Sequence, residues 1–143
     1  MNVKESIKKH EGYRSKVYLD TLGKRTVGYG HLCVEDFWMD GVEYEKEFLD
    51  GIFDVDYKKA EDSATRLFEM NDCADIDDDA KGIIIQMVFQ LGPTGVSKFK
   101  MMWKCLSELN YVGASYEMLD SRWAKQTPNR AKEMANHMKN IEV

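Results

Sequence analysis

Glu11, Asp20 and Thr26 are the residues in this chain whose types and spacing could do chemistry together. Hydrolysis of a glycosidic bond needs a carboxylic acid that protonates the leaving oxygen. When configuration inverts, it also needs a polar group on the opposite face of the sugar to activate water. Glu11 and Asp20 form such a pair in principle, and the Thr26 hydroxyl could hold the water. By spacing alone the three read better as two surface acids and a strand threonine chosen for β propensity, since 31% of the residues are charged.

The elements that must position these residues are legible around them. Val3, Ile7 and then His10 or Glu11 recur at helical spacing, which predicts a short amphipathic helix stopped by Gly12 and puts Glu11 at its C-terminus. From Lys16 to Tyr29 the chain is β-branched and aromatic, interrupted by glycine. Lys16–Leu19 and Arg25–Tyr29 therefore flank Thr21-Leu-Gly-Lys24 as a hairpin, with Gly23, Gly28 and Gly30 supplying tight backbone or close approach of a ligand. After about residue 43 the pattern is helical nearly to the end. Gly82–Leu91 is the most apolar run, with Asp77, Asp78 and Asp79 before it and Gly92 after it, as in a buried helix with a complemented dipole. Thr127-Pro128 predicts an N-cap and first residue of a last helix of about a dozen residues.

At 143 residues the chain suits one compact domain. Residues 1–31 carry seven basic and three acidic side chains, residues 32–80 four and seventeen, and residues 81–143 nine and five, for a net charge of −5. The acidic middle reads as solvated helix faces. Nucleic acid is disfavoured as a partner, because the total charge repels phosphate and neither basic segment has a reading motif. No secretory signal or membrane span is expected. Cys33, Cys73 and Cys105 are odd in number and far apart, so they are read as ordinary buried or half-buried thiols, with no disulfide and no metal site.

The stretch His10–Leu32, HEGYRSKVYLDTLGKRTVGYGHL, resembles the active-site segment of T4-type phage lysozymes, glycoside hydrolase family 24. It keeps the Glu, eight residues, Asp, five residues, Thr pattern and the Glu-Gly and Gly-x-Gly-His flanks. Met87–Val96 is similar to that family's central helix and following turn, and Ser121–Lys132 to its C-terminal signature. The resemblance implies an α+β, predominantly helical, two-lobed lysozyme-like fold in a single domain. A small β-containing lobe would cover about 13–52 and a helical lobe about 53–143, joined by a helix over 1–12, with a cleft between the lobes.

It implies hydrolysis of peptidoglycan between N-acetylmuramic acid and N-acetylglucosamine, with inversion. Glu11 would be the general acid, a role that calls for partial burial, and Asp20 and Thr26 would position the water. Gly30, Leu32, Phe89 and Gln90 would contact saccharide. Arg130 would stand near the glutamate, and His31 would pair with Asp54 as structural support. Trp103 and Trp123 are read as packing residues. No cofactor or metal is implied. The implied setting is a monomer held in the host cytoplasm, without membrane insertion, until a holin gives it access to the wall. Residues 33–53 depart from the family and look short, the C-terminal segment such enzymes often have is missing, and the acidic charge is unusual for a lysozyme. The rival readings are a non-catalytic peptidoglycan-binding or structural relative and a lytic transglycosylase, which needs the glutamate but no water-positioning pair.

Overall fold

The computed structural model describes residues 2–143, and the fold is the expected α+β, predominantly helical one. The element order is α1 (Val3–Glu11), β1 (Arg14–Leu19), β2 (Arg25–Gly28), β3 (His31–Leu32), α2 (Lys46–Met70), α3 (Asp78–Ser97), α4 (Lys100–Ser107), α5 (Tyr111–Leu119), α6 (Arg122–Gln126) and α7 (Pro128–Lys139). Two compact units are present, residues 2–59 and residues 60–143, and α2 runs through the boundary. No described helix is long and apolar enough to cross a membrane.

In the first unit, α1 begins where the Asn2 side chain accepts from Glu5 N–H at 3.1 Å, satisfying one of the first-turn donors. It stops at Gly12, whose φ of 72° places it in the left-handed region and whose N–H donates to Lys8 O. The three strands form an antiparallel sheet in the order β1-β2-β3. Tyr18 faces Thr26 and Leu19 faces Arg25 across the hairpin, and Thr26 faces Leu32 on the other side. The hairpin is where the glycine pattern predicted it. β1 starts two residues earlier than expected, and a bulge lies between Arg14 and Tyr18.

Period two then sorts the side chains. Val17 and Val27 turn to a core completed by Trp38, Leu49, Ile52 and Tyr44, while Tyr18, Thr26 and Leu32 line one row on the other face. The segment between β3 and α2 has no regular structure, yet it is anchored by Trp38. That indole is buried, and the ring of Tyr44 lies 4.9 Å from it, edge-on.

In the second unit the apolar run forms the buried α3, with Ile83, Ile84 and Met87 wholly inaccessible. Asp77 caps it by accepting from Asp79 N–H at 2.8 Å. Gly92 breaks it as expected: its φ of 79° and ψ of 160° are non-helical, and the helix resumes at Pro93. α7 opens at Pro128 and has the predicted length, but Thr127 makes no side-chain cap bond. Its hydroxyl donates instead to Trp123 O at 3.2 Å. All three cysteines are free, Cys73 buried and the other two half-buried, and burial pushes each thiol up from its usual range.

Candidate active site

Glu11 is the last residue of α1, and its half-buried side chain lies against the turn that joins β2 to β3. The contact is with Gly30. A Cβ at that position would lie 2.6 Å from Glu11 Oε2 and 3.2 Å from its Cδ, and Gly30 has a φ of 76°. Glycine is therefore required twice, for the backbone conformation and for the seat of the carboxyl group. Gly30→Ala is expected to cost about 1–2 kcal/mol in stability from the left-handed backbone alone, and to lower activity by roughly tenfold as the carboxyl is displaced. Thermal melts and rates on peptidoglycan check this; an alanine variant with wild-type activity would separate the Glu11 contact from function.

Asp20 closes the hairpin. Its Oδ1 accepts from Leu22 N–H at 2.9 Å and from Lys24 N–H at 2.8 Å, a side-chain turn that holds the carboxylate in place. Those two bonds occupy one oxygen and leave Oδ2 to accept from another group. Thr26, on β2, is only 3% exposed, and its hydroxyl donates to Lys24 O at 3.0 Å. With its proton committed to that carbonyl, the oxygen offers lone pairs to an incoming O–H. Both groups are thus set by the hairpin backbone as hydrogen-bond acceptors, the polarity needed to orient a water and take its proton.

His31 is held on both ring nitrogens, Nδ1 to Asp56 Oδ2 at 2.7 Å and Nε2 to Glu35 Oε1 at 2.8 Å. The expected partner Asp54 is not the one found. Successive residues of an α-helix are turned by about 100°, so Asp54 and Asp56 face nearly opposite sides of α2, and Asp54 lies 3.7 Å from Lys4 Nζ instead. Glu35 also accepts the Trp38 indole N–H at 2.7 Å. The two carboxylates raise the His31 pKa above its usual 6.5, Asp56 contributing most and burial opposing, while the His31 and Trp38 bonds lower that of Glu35.

Of the other residues singled out in the sequence, Gly30 and Leu32 share the small unit with Glu11, Asp20 and Thr26. Leu32 is 43% exposed and directly opposite Thr26. Phe89, Gln90 and Arg130 belong to the helical unit. There the Gln90 amide joins two neighbours, accepting the Trp123 indole N–H at 2.9 Å and donating to the Thr127 hydroxyl at 3.4 Å. Arg130 is half-buried in the first turn of α7. Trp103 and Trp123 are each 3% exposed, packing residues as expected. No group of three or more His, Cys, Asp or Glu that could hold a metal occurs among the described residues.

Sequence reasoning missed Asp56, Glu35 and Tyr18. Tyr18 faces Thr26 across the hairpin and precedes Asp20 by two residues, and that period-two spacing was the available signal.

A carboxyl side chain seated on a helix end, with a second carboxylate and a hydroxyl preset as acceptors on a hairpin, is an arrangement that could serve acid-assisted hydrolysis of a glycosidic bond. Residues 8–140 match the family model for phage lysozyme, and the chain belongs to that family. It is 30% identical over 152 residues to probable T4-type lysozyme 1 of Dictyostelium discoideum, covering 91% of this chain and 89% of that one. Probable T4-type lysozyme 2 of the same organism is 29% identical, with the same coverage. The pre-baseplate central spike protein Gp5 of Enterobacteria phage T4 is 31% identical over 92% of this chain, which corresponds to 26% of the spike protein.

Proposed function

We propose that this chain hydrolyses the β-1,4 bond between N-acetylmuramic acid and N-acetylglucosamine in peptidoglycan, with inversion. Glu11 protonates the leaving oxygen. Asp20 accepts a proton from the attacking water and supports positive charge developing at the sugar, and Thr26 holds the water through a lone pair. The observation that carries this reading is the hydrogen-bond polarity of the hairpin, where Asp20 Oδ1 and the Thr26 proton are both committed to backbone. Gly30 and Leu32, beside Glu11 and Thr26, contact the saccharide. His31 and the acid that holds it support the site without entering the chemistry. The biological task is lysis of a host cell, with a separate holin giving a monomeric enzyme access to the wall.

The test is digestion of purified peptidoglycan followed by end-group analysis. Clearing of the suspension with ordinary reducing muramic acid ends is expected, and the anomer released first should have inverted configuration. Anhydro ends would identify a transglycosylase, and a folded but inert protein would leave only the binding-module reading.

A further inference from the structure

Tyr18 is the side chain on the reactive face of the hairpin that the scheme above leaves unused. It sits directly opposite Thr26 on the neighbouring strand, so the two project to the same face of the sheet, and Asp20 follows it by two residues. The ring is half-buried and is held from one side by Arg14, whose guanidinium carbon lies 4.7 Å from the ring centroid. Burial first, and then the charges of Glu11 and Asp20, push the phenol above its usual pKa of 10, with Arg14 opposing. The hydroxyl therefore lies within the field of both carboxylates and remains a hydrogen-bond donor across the ordinary pH range.

The bonding of the attacking water shows what such a donor would do. Thr26 Oγ1 and Asp20 Oδ2 are acceptors, so they take the two O–H bonds of the water. One lone pair is directed at the anomeric carbon, and the second still lacks a donor. Resting on the hydrolase reading, we infer that the Tyr18 hydroxyl donates to this remaining lone pair and so fixes the orientation of the attacking water, with Arg14 setting the ring. Bond making and breaking are unchanged: the water oxygen joins the anomeric carbon, its proton passes to Asp20, and the Glu11 proton leaves with the departing sugar oxygen. Tyr18 keeps its own proton throughout.

The experiment compares wild type, Tyr18→Phe, Arg14→Met and the double variant on soluble, uncross-linked glycan strands, measuring kcat and KM separately with a melting temperature for each. Tyr18→Phe should lose about ten- to a hundredfold in kcat with KM and melting temperature near wild type, because the lost bond serves the transition state and not strand binding. Arg14→Met should lose less. Adding it to Tyr18→Phe should cost nothing more, since it acts through the hydroxyl already removed.

An unchanged kcat in folded Tyr18→Phe overturns the inference. So does a rise in KM at constant kcat, which would make the hydroxyl a sugar contact, and so does additivity of the two substitutions. An inert wild type would instead overturn the hydrolase reading, so the two failures are distinguishable.

Discussion

Glu11→Gln is expected to leave a folded protein that releases reducing ends from peptidoglycan about 10²–10⁴ times more slowly than wild type. The substitution keeps the shape of the side chain, so the seat on Gly30 stays filled and the end of α1 stays capped by Gly12. What is lost is a transferable proton. A sugar alkoxide is a poor leaving group, and without protonation in the transition state the charge on the departing oxygen has no compensation. The remaining rate would come from Asp20 and Thr26, which in the proposed scheme would still orient water, and from binding. Circular dichroism and a melting curve separate this loss of chemistry from a loss of fold. A folded glutamine variant with wild-type turnover would move the proton donor elsewhere.

Asp56→Asn produces the second large effect, on stability. The His31 side chain is 12% exposed and that of Asp56 22% exposed, and they are joined by a 2.7 Å bond, so the pair is largely shielded from solvent. Removing the carboxylate charge leaves a charge-assisted bond unmade, at a cost of about 1.5–3 kcal/mol. The sign of the pH dependence follows from the direction of the shift. The pKa of His31 is raised in the folded protein above 6.5, so its contribution is fully present below that value and is lost as pH rises through the folded pKa.

Glu35 behaves oppositely: its pKa is lowered from 4.5, and its contribution disappears as pH falls through the folded value. Wild type should therefore be most stable between these limits. The difference in melting temperature between wild type and Asp56→Asn should be widest near pH 6 and narrow toward alkaline pH. A difference that does not vary with pH would show that His31 is uncharged in the folded state. End products should not change in the variant, because neither His31 nor Asp56 enters the proposed chemistry.

The hairpin, the Gly12 stop and the Gly92 break were legible in the sequence because each is dictated locally. Glycine at a left-handed position and period-two alternation need no knowledge of distant contacts. The choice between Asp54 and Asp56 was different in kind. Both lie in the same short run, and only the rotational phase of α2 against the sheet selects one, a tertiary property that no nearby residue encodes. Glu35 escaped notice for a related reason. It lies in an irregular segment whose path is set by burial of Trp38, and its two partners are met only once that path is fixed.

Thr127 shows tertiary structure overriding a local rule. Its sequence signature is that of a capping residue, yet neighbouring Trp123 and Gln90 claim its hydroxyl. For the proposed catalytic residues, types and spacing limited the candidates, and the family resemblance picked among them. The hairpin then supplied what neither could: which oxygen of Asp20 is occupied, and where the Thr26 proton points.

The distribution of tryptophan gives the molecule an optical reporter for each unit. Trp38 is the only one of the three in residues 2–59, it is buried, and its indole N–H is bonded to the carboxylate that also holds His31. With Trp103 and Trp123 replaced by phenylalanine, all emission would come from the sheet-containing unit. Its wavelength would follow the hydration of that indole, and its quenching would follow the protonation of the imidazole beside it. A red shift that precedes the loss of far-ultraviolet ellipticity on heating would mark the small unit as the first part of the chain to open.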